Sequence, residues 1–278
     1  MKITLLMIAT YIIDCILIGT KPCKVFQLNS WQFNREDGIF SKVEIDEHIP
    51  EKWRLAQRHD DGLFEPQQWP VFVKPEWGQN ANGVKRADDL DELKGIRAKR
   101  TSQNIKYLIQ TGSPSSREFE VFSIRHHQDR DRYAIFTVTE AVNSAELNPV
   151  NSINNGNSRY VEITDELDEK DRATLWEMVN QLGRYNISRA SLSANSIEAL
   201  LAGQFHVIEI NLFLPMPINL LDEKYSIRDI FSTVFRYMMC LAKITKYRDK
   251  SLAEKPVFTK IMTYNRQSAV INFLRAKL

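Results

Sequence analysis

The sequence predicts an α+β protein, with antiparallel sheets flanked by helices, on three observations. Residues 118–125 alternate as a half-buried strand, and 133–139 form its partner across a polar turn at 128–132. Residues 205–211 read as a buried strand through Val207, Ile208 and Ile210. Two segments carry helical periodicity. One starts at the capping residue Asp168 and places Leu175, Met178, Val179 and Leu182 on one face before Gly183 ends it. The other runs over 227–247, with Ile227, Ile230, Phe231, Val234, Phe235, Met238 and Leu241 as its apolar stripe.

The remaining elements follow in chain order. Residues 3–19 are apolar apart from Thr4, Thr10 and Asp14. Asp14 interrupts the outline of a signal peptide, and a charged residue at mid-bilayer costs about 2.5–3.5 kcal/mol, so a core helix or an interfacial anchor fits better. Residues 54–68 are polar and read as a loop. A strand over 69–75 ends at Pro75, a short helix over 88–99 turns Leu90 and Leu93 inward, and 107–110 is another strand. The basic cluster at 94–100 reads as a solvated helix end. Residues 143–158, rich in Asn and Ser, form an irregular loop. Residues 184–188 read as a short strand and 196–202 as a turn or short helix.

Composition bounds the function. The 278 residues suffice for one large or two modest domains, and 37 basic against 35 acidic residues give no polybasic surface for nucleic acid. The three cysteines, Cys15, Cys23 and Cys240, lack zinc or disulfide spacing. These features suit a cytoplasmic protein.

Two stretches carry chemistry. Glu209 and Asn211 stand two apart on one strand and share a face, as two oxygen ligands for Mg2+ would, although such pairs also occur on solvated edges. Lys74 leaves the end of a strand just before the loop Glu76 to Val84, with Gly78 and Gly83. Backbone N–H groups of such a loop can cradle phosphate oxygens while the lysine supplies charge, and a plain hairpin is the alternative.

Taken in order, Val73-Lys74-Pro75 before a Gly-x-x-x-x-Gly loop, the strand ending at Gln110, Arg117 to Val121, Gly183 to Asn186, and Val207 to Asn211 resemble the ATP-grasp superfamily, in the branch of D-alanine–D-alanine ligase. The resemblance covers about residues 69–222. It implies an ATP-grasp fold with ATP held between two subdomains: an N-terminal segment over 1–53, a lid subdomain over 54–110 and a metal-binding subdomain over 111–278. It implies ATP and Mg2+ as cofactors and small-molecule carboxylate and amine substrates, the carboxylate being activated as an acyl phosphate. Lys74 would contact the phosphates. The loop with Gly78, Asn80 and Gly83 would cover them, Gln110 and Thr111 would flank adenine, and Glu118 would hold the ribose. Arg184 would face the reacting oxygens, and Glu209, Asn211 and Asn186 would form the metal site. Asn186 stands where the family has aspartate, and Lys42 and Lys52 are candidates for a further nucleotide lysine.

Two further readings accompany the ligase: a divergent member that binds nucleotide or a partner with little catalysis, and a scaffold in peripheral membrane contact through 3–19. The short N-terminal region points to a partner or a homo-oligomer for acceptor recognition.

Overall fold

The computed structural model describes residues 2–78, 81–100, 105–143, 150–152 and 155–265. Two antiparallel sheets organise it. The first holds β1 (Gln57–His59), β2 (Val71–Pro75), β3 (Lys85–Ala87) and β4 (Tyr107–Thr111) in the order β1-β4-β2-β3. The second holds β5 (Arg117–Arg125), β6 (Tyr133–Val142), β7 (Arg159–Glu162), β8 (Ile187–Ala194) and β9 (Phe205–Asn211) in the order β7-β6-β5-β8-β9. The predicted α+β class, with antiparallel sheets and flanking helices, is the observed one.

In the first sheet, Val71, Val73 and Ile109 point to one side and pack with Leu93 of the helix Leu90–Ala98. Asp89 caps that helix by accepting from the Glu92 amide at 2.8 Å. The opposite side carries Phe72, Lys74 and Gln110, with Phe72 facing Gln110 across the ladder. Alternation along a strand thus separates a small core from a polar wall.

The second sheet divides the same way. Phe119, Val121, Val138, Ala190, Leu192 and Val207 join the largest core, together with Leu175 and Val179 of the helix Glu169–Gln181. That helix is capped by Asp168, which accepts from the Asp171 amide at 2.8 Å. Trp53, 1% exposed, stacks on Phe205 with ring centroids 4.7 Å apart and donates its indole N–H to the Gly203 carbonyl. The other face is apolar only at one end. There Phe122, Ile124, Ile135 and Ile187 pack under the helices Lys2–Leu17 and Ile227–Lys246. Its other end is polar and faces the first sheet.

The structure departs from several expectations. The strand expected over 184–188 begins at Ile187 and continues to Ala194, buried throughout. Its Arg189, Ser191 and Ser193 form a polar face that lines the cleft between the sheets. The loop at 54–68 contains β1. The helix Ile227–Lys246 buries Val234, Met238 and Leu241 but leaves Ile227, Phe231 and Phe235 more than half exposed, so only part of its apolar stripe faces the core. Arg97 and Arg100, expected to be solvated, both pair with the buried Asp60, whose carboxyl is held below its usual range because those ion pairs and the Gly62 amide outweigh burial.

The first helix packs against Ile227–Lys246 and carries Asp14 to a fully buried position, where neither carboxylate oxygen has a hydrogen-bond partner. Burial raises its pKa. Among the described residues, no helix is long and apolar enough to cross a membrane.

Candidate functional site

The polar walls of the two sheets enclose a cleft with a volume of about 160 Å³. Its first wall is Phe72, Lys74 and Gln110, closed by Ala81, Val84 and the stretch Thr111 to Ser113. Its second wall is built by register. Glu120 stands opposite Ser191, Glu118 opposite Ser193, Ser191 opposite Glu209, and Arg189 opposite Asn211. All of these side chains therefore share one face of the sheet.

A bulge in β9 sets the aim of that face. The register slips between Ser191 and Leu192, which pair with Glu209 and Val207 and leave Ile208 as the extra residue. The Ile208 carbonyl receives the Lys74 ammonium at 3.4 Å and the Gln110 carboxamide at 3.1 Å. One bulged residue thereby joins the two sheets at the base of the cleft.

Charge is concentrated around Glu209. Lys42, the first residue of the short helix Lys42–Asp46, pairs with it at 3.1 Å, and Arg189 pairs with Glu120 at 3.0 Å. Ser191 also donates to Glu120 at 3.0 Å. Burial pushes the Glu209 carboxyl up, but Lys42, Lys74 and Arg189 together outweigh it and hold the group below its ordinary range. Lys74 itself is 5% exposed, and among the described residues no carboxylate lies within ion-pair distance of it. Burial, then the neighbouring Lys42 charge, bring its pKa down to about 7 against the pull of Glu209 and Asp46. Glu118 accepts from the Asn151 carboxamide at 2.9 Å, and burial together with the Glu120 carboxylate holds it well above the usual carboxylate range.

The structure brings together most of the residues singled out from sequence. Lys74, Gln110, Thr111, Glu118, Glu209 and Asn211 all line the cleft. Gly78 borders a smaller recess shared with Lys42, Glu209 and Asn211, and Gly83 adopts a positive φ of 81° at the other end of its loop. Asn80 lies outside the described residues. At the hinge, the amides of Thr111 and Gly112 are bonded to the carbonyls of Ala56 and Pro70 at 2.9 and 2.8 Å. A ligand there must be read by other groups. Gly112 is also fixed by space, since a Cβ on it would stand 2.9 Å from the Pro70 carbonyl oxygen.

Two expected site residues are elsewhere. Asn186 accepts from Arg130 and donates to the Leu28 carbonyl, so it does not join Glu209 and Asn211. Arg184 pairs with Asp131 on an exposed surface. The positions facing Asn211 and Glu209 are taken instead by Arg189 and Ser191. Their signal was present in the sequence as the period-two spacing Arg189, Ser191, Ser193.

The donor set can be tested against Mg2+. Glu209 stands beside the neutral Ser191 and Asn211, the neighbouring Glu120 is paired with Arg189, and among the described residues no three His, Cys, Asp or Glu side chains cluster for a metal. Such a set suits a Mg2+ ion shared with phosphates.

No family model and no curated protein matches the sequence. In structure the chain is similar, at low sequence identity, to three solved ligases. The L-amino acid ligase of Bacillus licheniformis aligns with a TM-score of 0.46 and 16% identity, over 72% of this chain and 47% of that one. The VanG D-Ala:D-Ser ligase of Enterococcus faecalis aligns with a TM-score of 0.49 and 11% identity, over 74% and 61%. The D-alanine–D-alanine ligase of Bacillus anthracis gives 0.49 and 12%, over 76% and 69%. The chain thus spans about half of the first of these ligases and somewhat more of the other two.

Proposed function

We propose that the chain binds ATP in the cleft between its sheets and activates a carboxylate for attack by an amine. The observation that carries this reading is Lys74, a buried amine facing a cavity with only a carbonyl as its hydrogen-bond partner. A phosphate chain entering the cleft supplies the missing countercharge. Lys42 and Arg189 flank the same spot, so three cations converge where phosphates would lie. Glu118 and the Thr111 to Ser113 stretch are left for the sugar and base.

Glu209 and Asn211 would hold one Mg2+ beside the phosphates, and when bound the ion supplies charge neutralisation and a template for the transferred phosphoryl group. The chain's own residues do the rest. Lys74 and Lys42 orient the phosphates, Arg189 faces the developing charge, and the walls of Phe72 and Ile208 exclude water. Arg189 takes the part that the resemblance gave to Arg184.

Calorimetry with ATP, with and without Mg2+, tests the binding. Lys74→Met should weaken ATP by about tenfold or more, and equal affinity in both proteins would remove Lys74 from the site. ADP release with mixed acids and amines tests the reaction.

A second reading is favoured by the neutral Ser191 and Asn211 and by the Lys42 pair on Glu209. In it the cleft holds nucleotide with little turnover. ATP binding without ADP release across a panel of acids and amines would select it.

A further inference from the structure

A second concave site stands at the opposite end of β8 from Ser193. Arg125, Arg130, Arg184 and Arg248 surround a cavity of about 240 Å³, together with Asn186 and Asp249. None of the cleft residues lines it.

The four guanidiniums are not equivalent. Arg184 is paired with Asp131, and Arg248 with Glu254 at 3.0 Å. Arg125 and Arg130 are held by neutral oxygens. Arg125, 3% exposed, donates Nε–H to the Tyr185 carbonyl at 2.8 Å, Nη1–H to the Arg130 carbonyl at 2.6 Å, and Nη2–H to the Asn180 carboxamide. The face of its guanidinium lies 4.9 Å from the centroid of the Trp176 ring. Arg130 donates to the Asn186 carboxamide and to the Tyr247 carbonyl at 2.8 Å. Asp249 attracts Arg130 through space, but its Oδ1 is occupied by the Ser251 amide and hydroxyl at 2.8 and 2.7 Å. Among the described residues, neither Arg125 nor Arg130 forms an ion pair.

Carbonyl and carboxamide oxygens orient these two side chains without neutralising them. A guanidinium keeps its proton, so it cannot escape a poorly solvated position by becoming neutral as a lysine can. Each also has five N–H donors, of which Arg125 uses three and Arg130 two in the bonds above. Asp131 and Asp249 offset these two charges only through space, and two fixed guanidiniums with spare donors and no ion pair on one cavity form a receptor for a doubly charged oxyanion. A carboxylate would answer only one of them.

We propose that this cavity binds a compact phosphate dianion, either free phosphate or the phosphate end of a small monoester, gripped by Arg125 and Arg130. The lowered basicity of both groups agrees with it. Burial and the neighbouring Arg184 bring Arg125 to about 10, and burial lowers Arg130 despite Asp249. The proposal is independent of the nucleotide reading, since it rests on different residues.

The test is a titration of the full chain with inorganic phosphate at constant ionic strength, without nucleotide or metal, followed by 31P NMR and by thermal melting. Glycerol 3-phosphate and acetate are run in parallel. Phosphate should bind saturably and raise the melting temperature, Arg130→Gln should weaken it about tenfold or more, and acetate should bind much more weakly. Glycerol 3-phosphate binding tighter than phosphate identifies a monoester ligand, and equal or weaker binding identifies free phosphate. Melting in the absence of phosphate establishes that Arg130→Gln is folded, and Arg130→Lys, which keeps charge but loses the planar fork, replaces it otherwise. Absence of saturable binding, or full binding in a folded Arg130 variant, would each overturn the proposal.

Discussion

Raising the pH from about 7.5 to about 8.5 bears directly on Lys74. With its pKa near 7 in the empty cleft, the amine is roughly one-quarter protonated at the lower pH and about 3% protonated at the higher. A bound phosphate chain returns the pKa toward the ordinary lysine value of 10.5, so the bound form stays charged at both. ATP then takes up a proton on binding, and its affinity should fall by about eightfold across this interval. The sign is fixed by linkage: a ligand that favours the protonated amine binds more weakly as the free protein loses that proton. Phosphate oxygens are ionised throughout the range and contribute little. Glu118 titrates upward as well, and its added negative charge acts in the same direction, so the experiment is repeated in Glu118→Gln. Calorimetry in two buffers of different ionisation enthalpy reads the proton directly, with uptake rising to about 0.9 proton per ATP near pH 8. An affinity flat in pH, with no buffer dependence in Glu118→Gln, would sink the argument that Lys74 meets the phosphates.

Glu209→Gln should tighten metal-free ATP severalfold, because Lys42 and Lys74 lose their competing anion, while removing any gain from Mg2+; calorimetry with and without the ion reads both signs. Asp14→Ala should raise thermal stability at neutral pH by about 1–3 kcal/mol, since it deletes a buried carboxylate with no partner for either oxygen. The advantage should shrink in acid: Asp14 has a raised folded pKa, so its contribution is most favourable below the unfolded value near 4 and is lost as pH rises through the folded one. Gly112→Ala should cost about 1–3 kcal/mol in urea melts and weaken ATP, because its Cβ meets the fixed Pro70 carbonyl.

Much of the fold was legible where one face of an element is apolar. The strand at 118–125, its partner across the turn and the helix capped by Asp168 were all visible as period and punctuation. β8 was not, because Ile187 to Ala194 alternates small apolar residues with serine and arginine, and a polar face buried against a cleft looks like one facing water. The same blindness displaced two site residues. The resemblance implied Arg184 at the reacting oxygens and Asn186 at the metal, whereas the register with β9 puts Arg189 and Ser191 opposite Asn211 and Glu209. Pairing between strands decides such a choice, and one strand's sequence does not encode its partner's bulge. Lys42 illustrates a different limit. It reaches Glu209 from a short helix far away in sequence, and nothing local distinguishes it from Lys52.

The Ile208 carbonyl has a mechanical consequence. Two donors from the first sheet, Lys74 and Gln110, are strutted on this one oxygen of the second. A ligand that draws Lys74 toward its own oxygens removes one strut and takes its place, so the rigidity of the empty protein and that of the filled one would rest on different cross-links. Gln110 would remain as the bond from the first sheet to that oxygen during the exchange.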